Sequence, residues 1–316
     1  MDITKYTKLK VNQLLLLTLV VVLGITATYA LYFILSNKEK ETQLLNFKLT
    51  SKEIINDLEK GIQSNFEVLT SIKALYTVTD SVSRKQFKIF NSNILNKNKS
   101  IQALSWVPKV NFIEKDFFEQ IARNDGLHNF LIKEKIDEEM LPVTKRESYY
   151  PVYYIEPLAE NESAIGFDLA SNPTMLSALK KAIETNHLTA TSRITLAQEK
   201  GTQKAILVFC PLKKQGKLIG LFTGVYRIKD LILQSIDNLP AKNCHIAIYD
   251  MSAKKGNQLL AQFSKNEDPH LPTETVPSIS DGISYKQTIM AADREWLILC
   301  TPTQTYLKTF SKSLKL

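Results

Sequence analysis

The sequence predicts an α+β protein: one N-terminal membrane-spanning helix leads into a long stalk helix, and antiparallel sheets follow. Three observations predict it. The run from Val11 to Asn37 carries no charged residue, and its middle, LLLLTLVVVLGITATYALYFIL, is almost wholly apolar. From Leu44 to Tyr76 apolar residues return at spacings of three, four and seven, the period of one helix face. Beyond residue 100, short segments that alternate or run apolar are separated by turn residues, which is the pattern of strands.

The apolar run is long enough to span a bilayer, for which about 20 residues suffice. Lys5, Lys8 and Lys10 precede it, opposed only by Asp2, whereas Lys38, Glu39, Lys40 and Glu41 follow in balance. That bias places the N-terminus in the cytoplasm and everything after Ser36 outside. The run is too long for a typical signal-peptide core and lacks a small-x-small site, so an uncleaved anchor is expected. The C-terminal segment WLILCTPTQTYLKTFSKSLKL is broken by Pro302 and three lysines and is not expected to cross. In the stalk, Leu44, Phe47, Ile54, Leu58, Ile62, Leu69, Ile72 and Tyr76 form the stripe, with Ser51 and Asn65 interrupting it. Such a stripe either pairs with its copy in a second subunit or packs on its own domain.

Ser83 and Gln86 read as a capping box for a short helix carrying Phe87, Phe90 and Ile94. A strand is expected over residues 101 to 110, then an amphipathic helix, IEKDFFEQIARND, stopped at Gly126. Further strands are expected at Asn129 to Ile132, Tyr150 to Ile155 and Ile165 to Leu169. Asn172-Pro173 is a helix start, with Asn as cap and Pro at the first helical position. Strands recur at Thr189 to Thr195, Ala205 to Pro211 and Leu218 to Ile228, the last two joined by KKQGK. Past Asp237, CHIAIYD, QLLAQF, ISYKQTIMAA and EWLILCTP read as a second, smaller antiparallel sheet.

Composition narrows the function classes. With 316 residues, 44% of them hydrophobic, the chain can bury a substantial core. Its net charge of +8 comes from lysines scattered along the sequence rather than from a basic run, so no nucleic-acid partner is expected. His128, His187, His245 and His270 stand apart from one another and from other ligands, and the acidic turn EPLAENE lacks calcium-loop spacing; no metal and no cofactor is expected. Cys210, Cys244 and Cys300 sit in apolar strands without a C-x-x-C pair and read as buried hydrophobes, one disulfide remaining an alternative. A phosphate-cradling Gly-rich loop, a Gly-x-Ser-x-Gly elbow, a His-Glu-x-x-His helix, a cyclase Gly-Gly-Asp-Glu-Phe signature and kinase motifs are all missing, so no enzyme is expected.

Residues 146 to 199 are the most informative: a Tyr-rich strand, an acidic turn, a Gly-Phe-Asp-Leu step and an Asn-Pro helix start follow one another without filler. They put Asp168 beside aromatic walls and Thr hydroxyls, the makings of a small-ligand pocket. Tyr150, Phe167 and Phe209 are candidate wall residues, as are Tyr153, Tyr154, Phe222 and Tyr226, with at most one of Tyr153 and Tyr154 facing inward. A carboxylate in such a place demands a donor, which can be a ligand N–H, a backbone N–H or Arg193. In the alternative reading Asp168 braces the turn up to Pro173. Arg146 and Arg193 either select an anionic ligand at the pocket mouth or form surface ion pairs.

The segments ALSWVPKV, YYPVYYIEP, AIGFDLASNP, the helix ending in AIETNH, TATSRITLAQE, ILVFCPLKK and GLFTGVYRIKDLI together resemble the CHASE domain, an extracytoplasmic sensor of cyclases, histidine kinases and plant cytokinin receptors. The resemblance covers about 150 residues and implies two stacked PAS-like antiparallel sheets on a long N-terminal helix. The membrane-distal sheet would hold a small organic ligand, in a chain that is typically dimeric. In the cytokinin-binding members an Asp accepts hydrogen bonds from the ligand ring, and its position matches Asp168. Backbone contacts there match Ala190 or Thr191, and a further side chain matches Gln198 or Glu199. The implied layout is a cytoplasmic tail (1–10), a membrane helix (11–35), a stalk (36–80), a distal ligand-binding lobe (81–236), a proximal lobe (237–302) and a short tail (303–316). The expected role is a single-pass sensor of the plasma (inner) membrane, facing outward, that pairs with itself or with a full-length receptor. A truncated remnant of a CHASE-containing diguanylate cyclase or sensor histidine kinase is one alternative. A periplasmic interaction protein whose pocket is filled by its own side chains is the other.

Overall fold

The computed structural model describes residues 3–79, 82–137, 139–195, 204–236, 244–263, 283–303 and 306–308. In chain order the elements are α1 (Ile3–Val78), α2 (Arg84–Lys97), β1 (Ile101–Pro108), β2 (Val110–Asn111), α3 (Lys115–Asn124), β3 (Lys133–Ile136), β4 (Glu139–Pro142), β5 (Ser148–Tyr149), β6 (Tyr154–Glu156), α4 (Pro173–Thr185), β7 (Thr189–Ala190), β8 (Ile194–Thr195), β9 (Lys204–Lys214), β10 (Lys217–Arg227), α5 (Ile228–Ile236), β11 (Cys244–Asp250), β12 (Leu259–Phe263), β13 (Tyr285–Ala291) and β14 (Arg294–Pro302). The protein is therefore a mixed helix-and-sheet chain with a long apolar N-terminal helix and antiparallel sheets, as the sequence predicts.

Two compact units divide it, residues 1–51 with 302–316, and residues 52–301. In the first unit the apolar side chains from Leu15 to Leu35 point outward, and α1 is long and apolar enough there to cross a membrane. The ring of Tyr306 lies 5.8 Å from that of Phe47, and its hydroxyl donates to the Gln43 carbonyl at 3.1 Å.

The larger unit is built on a six-stranded sheet in the order β6-β1-β10-β9-β7, with β8 also pairing β9. The long hairpin β9–β10 forms because Gln215 and Gly216 both take positive φ, 49° and 78°, the requirement of a two-residue turn. Alternation along β10 then sorts the two faces. Phe222 and Tyr226 turn to α1, where the Tyr226 ring sits edge-on to Phe66 at 5.0 Å and Phe222 edge-on to Tyr76 at 4.5 Å. A Cβ at Gly224 would stand 2.7 Å from the Tyr226 ring, so glycine is required for that ring to fold back. Leu221 and Val225 turn the other way, onto a core shared with Ala103, Val107, Leu207, Phe209 and the Ala178, Leu179 and Ala182 face of α4.

The stalk stripe is thus used by the chain itself. Ile54, Leu58, Ile62, Leu69, Ile72 and Tyr76 are all buried within the unit. Asn65, which looks like a flaw in the stripe, is a buried junction: its side chain accepts from Ser100 Oγ at 2.6 Å, and its carbonyl accepts from the Tyr226 hydroxyl at 2.9 Å. Asn65→Ala is expected to cost about 1–3 kcal/mol in urea unfolding, because the Ser100 hydroxyl stays buried without its acceptor.

A second sheet has the order β12-β11-β14-β13, built from the four segments expected for it. Several other expectations need correction. The strand expected at Asn129 to Ile132 begins only at Lys133, because the Phe130 N–H closes a turn on Leu127. Ile165 to Leu169 forms turns and isolated bridges rather than a strand, since Asp168 caps the short 3-10 turn Leu169–Ser171. The strand expected over Tyr150 to Ile155 is only Tyr154–Glu156, and Thr189 to Thr195 is two short strands divided around Thr191. All three cysteines are buried and none is joined to another by a disulfide, so that alternative is not realised.

Candidate functional site

Asp168 is fully buried at the end of the Gly-Phe-Asp step. Its Oδ1 accepts from the backbone N–H groups of Tyr150, at 2.8 Å, and Ala170, at 3.1 Å. Its Oδ2 faces Arg146 Nη1 at 3.3 Å. Arg146 also grips Glu134, itself buried, so one guanidinium serves two buried carboxylates. Thr144 N–H donates to Glu134 as well, at 2.6 Å.

The two acids respond in opposite directions. Burial raises the pKa of Asp168, and the nearby Glu134 adds to the rise; the two backbone N–H bonds and Arg146 offset only part of it. Desolvation pushes Glu134 upward too, but hydrogen bonds from Arg146 and Thr144, with the Arg146 charge, outweigh it and hold the pKa below the usual range.

The local sequence explains this placement. Gly166 takes φ +80°, and its missing side chain leaves room for the Leu131 carbonyl oxygen. Its N–H donates to Val152 and its carbonyl accepts from Lys133, so the step is tied on both sides. Asn172 then caps α4, its Oδ1 accepting from Thr174 N–H at 3.0 Å and Met175 N–H at 3.1 Å, with Pro173 opening the helix.

Of the residues singled out from sequence, the fold brings Tyr150, Phe167 and Phe209 into the core on the α4 side of the sheet, Phe209 fully buried and the other two half-buried. Ala190 pairs with Val208 on the neighbouring β9. Thr191 exchanges bonds with Leu207: its N–H donates to the Leu207 carbonyl at 2.9 Å, and its Oγ1 accepts from the Leu207 N–H at 3.0 Å. Gln198 and Glu199 lie outside the described residues.

Several wall residues go elsewhere. Phe222 and Tyr226 occupy the α1 face. Neither Tyr153 nor Tyr154 joins the α4-side core; they stack on each other at 4.3 Å, and Arg84 lies 5.0 Å from the Tyr154 ring. The strand begins only at Tyr154, so strict alternation does not separate the pair. The donors to Asp168 are the two backbone N–H groups, as one of the readings expected, together with Arg146. Arg193 is not among them, its guanidinium reaching the Leu259 carbonyl at 2.7 Å and Asn257 at 3.0 Å. Both guanidinium groups are thus engaged within the fold rather than held free for an anion. Sequence reasoning missed Glu134, on the β3–β4 hairpin, whose Arg146 partner lies in the segment that follows that hairpin. It also missed Asp293, whose Oδ1 accepts from the Ala190 N–H at 2.8 Å.

A family model described as the CHASE domain matches residues 80–261. The germination-specific adenylate cyclase of Dictyostelium discoideum is 28% identical over 151 residues, 47% of this chain and 17% of the relative. The hybrid signal transduction histidine kinase A of the same organism is 18% identical over 313 residues, 90% of this chain and 14% of the relative. The chain therefore spans under a fifth of the length of either. Among solved structures, the periplasmic sensory domain of a Campylobacter jejuni chemoreceptor is similar with a TM-score of 0.49 and 12% identity, covering 85% of this chain and 98% of that one.

Proposed function

Because the chain belongs to the CHASE-domain family, we propose that it is a membrane-anchored sensor that binds a small organic ligand at the Asp168 end of its six-stranded, PAS-like sheet. One observation carries this reading: Asp168 is a fully buried carboxylate whose Oδ2, among the described residues, takes a single, long bond from Arg146. An ionised carboxylate offers about four acceptor positions. Three are used, and the remaining one suits an N–H donor from a ligand lying against Tyr150 and Phe167. The apolar segment of α1, led by Lys5, Lys8 and Lys10, would hold the sheets outside the membrane, with the second sheet as the proximal PAS-like lobe. Pairing with a second copy or with a full-length receptor would use faces of α1 other than the stripe, which the chain's own core occupies.

A thermal melt of the full chain in detergent, run against a metabolite panel that includes N6-substituted adenines, tests the reading. A true ligand at 100 times its dissociation constant should add about 2.7 kcal/mol. Asp168→Asn should remove that shift, because the amide keeps the Oδ1 acceptor but presents an N–H where the ligand needs a lone pair. Acidification should weaken binding as Asp168 takes up a proton. With its pKa raised by burial, the loss should begin above the ordinary aspartate value of about 3.9. A shift untouched by both the substitution and pH would remove Asp168 from the site.

A further inference from the structure

We propose that α4 is a rigid lever joining the Asp168 site to the second sheet, with Asp293 as the grip at its far end. At the near end, the turn capped by Asp168 leads directly into the Asn172 cap of α4. At the other end, the Lys181 ammonium lies 2.6 Å from Asp293 Oδ2. Asp293 sits in the β13–β14 turn of the second sheet, and its other oxygen holds the Ala190 N–H on β7. One carboxylate from the second sheet therefore grips both the helix and the edge strand of the first.

Two further observations describe the surroundings of this contact. A cleft of about 640 Å³ opens beside it, lined by Thr70, Lys73, His187, Cys210 and Pro211 as well as by Lys181 and Asp293, so little else fills the space. Ala292, next to Asp293, is held at φ +57°, a left-handed conformation unfavourable for an alanine. That positive φ belongs to the two-residue β13–β14 turn, which fixes the position of Asp293 beside α4. A helix of 13 residues is stiff over about 20 Å, so displacement of its capped end is carried to Lys181 and, through Asp293, to Ala190. Lys181 is largely exposed and adds little as an ion pair; the bond to the buried Ala190 N–H is the firmer hold.

The purpose assigned to this lever rests on the sensor reading, but its test needs no ligand. Hydrogen exchange is measured on the full chain in detergent for the wild type, Asp168→Asn, Asp293→Ala, Asp293→Asn and the Asp168→Asn/Asp293→Ala double variant. Asp293→Ala should speed exchange at β7 about tenfold, and Asp293→Asn, which still accepts from Ala190, much less. Asp168→Asn should speed exchange at the β13–β14 turn several-fold, and that effect should vanish when Asp293 is already Ala. If Asp293→Ala does not fold, Asp293→Ser takes its place, keeping a polar turn residue too short to reach Ala190. An Asp168→Asn effect that persists without Asp293, or that never reaches the β13–β14 turn, overturns the lever. A missing ligand shift in the melts would sink the sensor reading and leave this result standing.

Discussion

Replacing Arg146 with Met should destabilise the fold by about 3 kcal/mol at neutral pH, measured by urea unfolding. The cause is the pair of carboxylates left behind. Glu134 and Asp168 are both buried, and Arg146 is the cation between them. Its side chain is 29% exposed, so the low end of the range for breaking a buried ion pair applies. Acidity should narrow the loss. Removing Arg146 takes away a cause that lowers both pKa values, so each acid titrates at higher pH than in the wild type. A raised acid favours the folded state at low pH and disfavours it as pH rises through the folded pKa. The gap from wild type should therefore be smaller at pH 5 than at pH 7.5. A gap under about 1 kcal/mol at both values would mean that water already screens the triad.

Gly166→Ala should be comparably severe, costing about 3 kcal/mol, and should also abolish the ligand-induced melting shift. Alanine at φ +80° is strained, and its Cβ would be driven into the Leu131 carbonyl oxygen, which is backbone and cannot swing aside. The step would move, carrying Phe167 and Asp168 with it. Gly126, at φ +90°, has open space where a Cβ would go, so Gly126→Ala is the control: it should show the conformational cost alone, about 1 kcal/mol, and keep the shift. Equal effects at both positions would mean that the close approach at Gly166 is unimportant.

What the sequence reveals here follows the range of the interactions. The capping box at Ser83 and Gln86, the Asn172-Pro173 start and the turn before Lys217 are set by neighbours within four residues, and all three form as read. The second sheet is legible too, because each of its strands carries its own apolar pattern. Strand extents near the site are not. Tyr150 to Ile155 has the composition of one strand, but Tyr150 N–H is taken by Asp168, eighteen residues away, and only its last residues pair with β1. The same limit hides Glu134 and Asp293: an acid on or beside a short strand gives no sign in the sequence of a partner on another element. Asp168 itself is readable as important, but the choice between ligand acceptor and turn brace is not. It caps the turn with Oδ1, and among the described residues its Oδ2 takes one bond, from Arg146.

The three thiols have a practical consequence. Cys210, Cys244 and Cys300 are unlinked and at most 5% exposed, and burial pushes Cys210 up to about 11, where the reactive thiolate is scarce at neutral pH. Alkylating dyes should therefore pass over the native molecule and modify it only as it opens, making their uptake a clock for unfolding. A single cysteine engineered on an exposed loop would then take a fluorophore alone, with no need to strip the natural ones first.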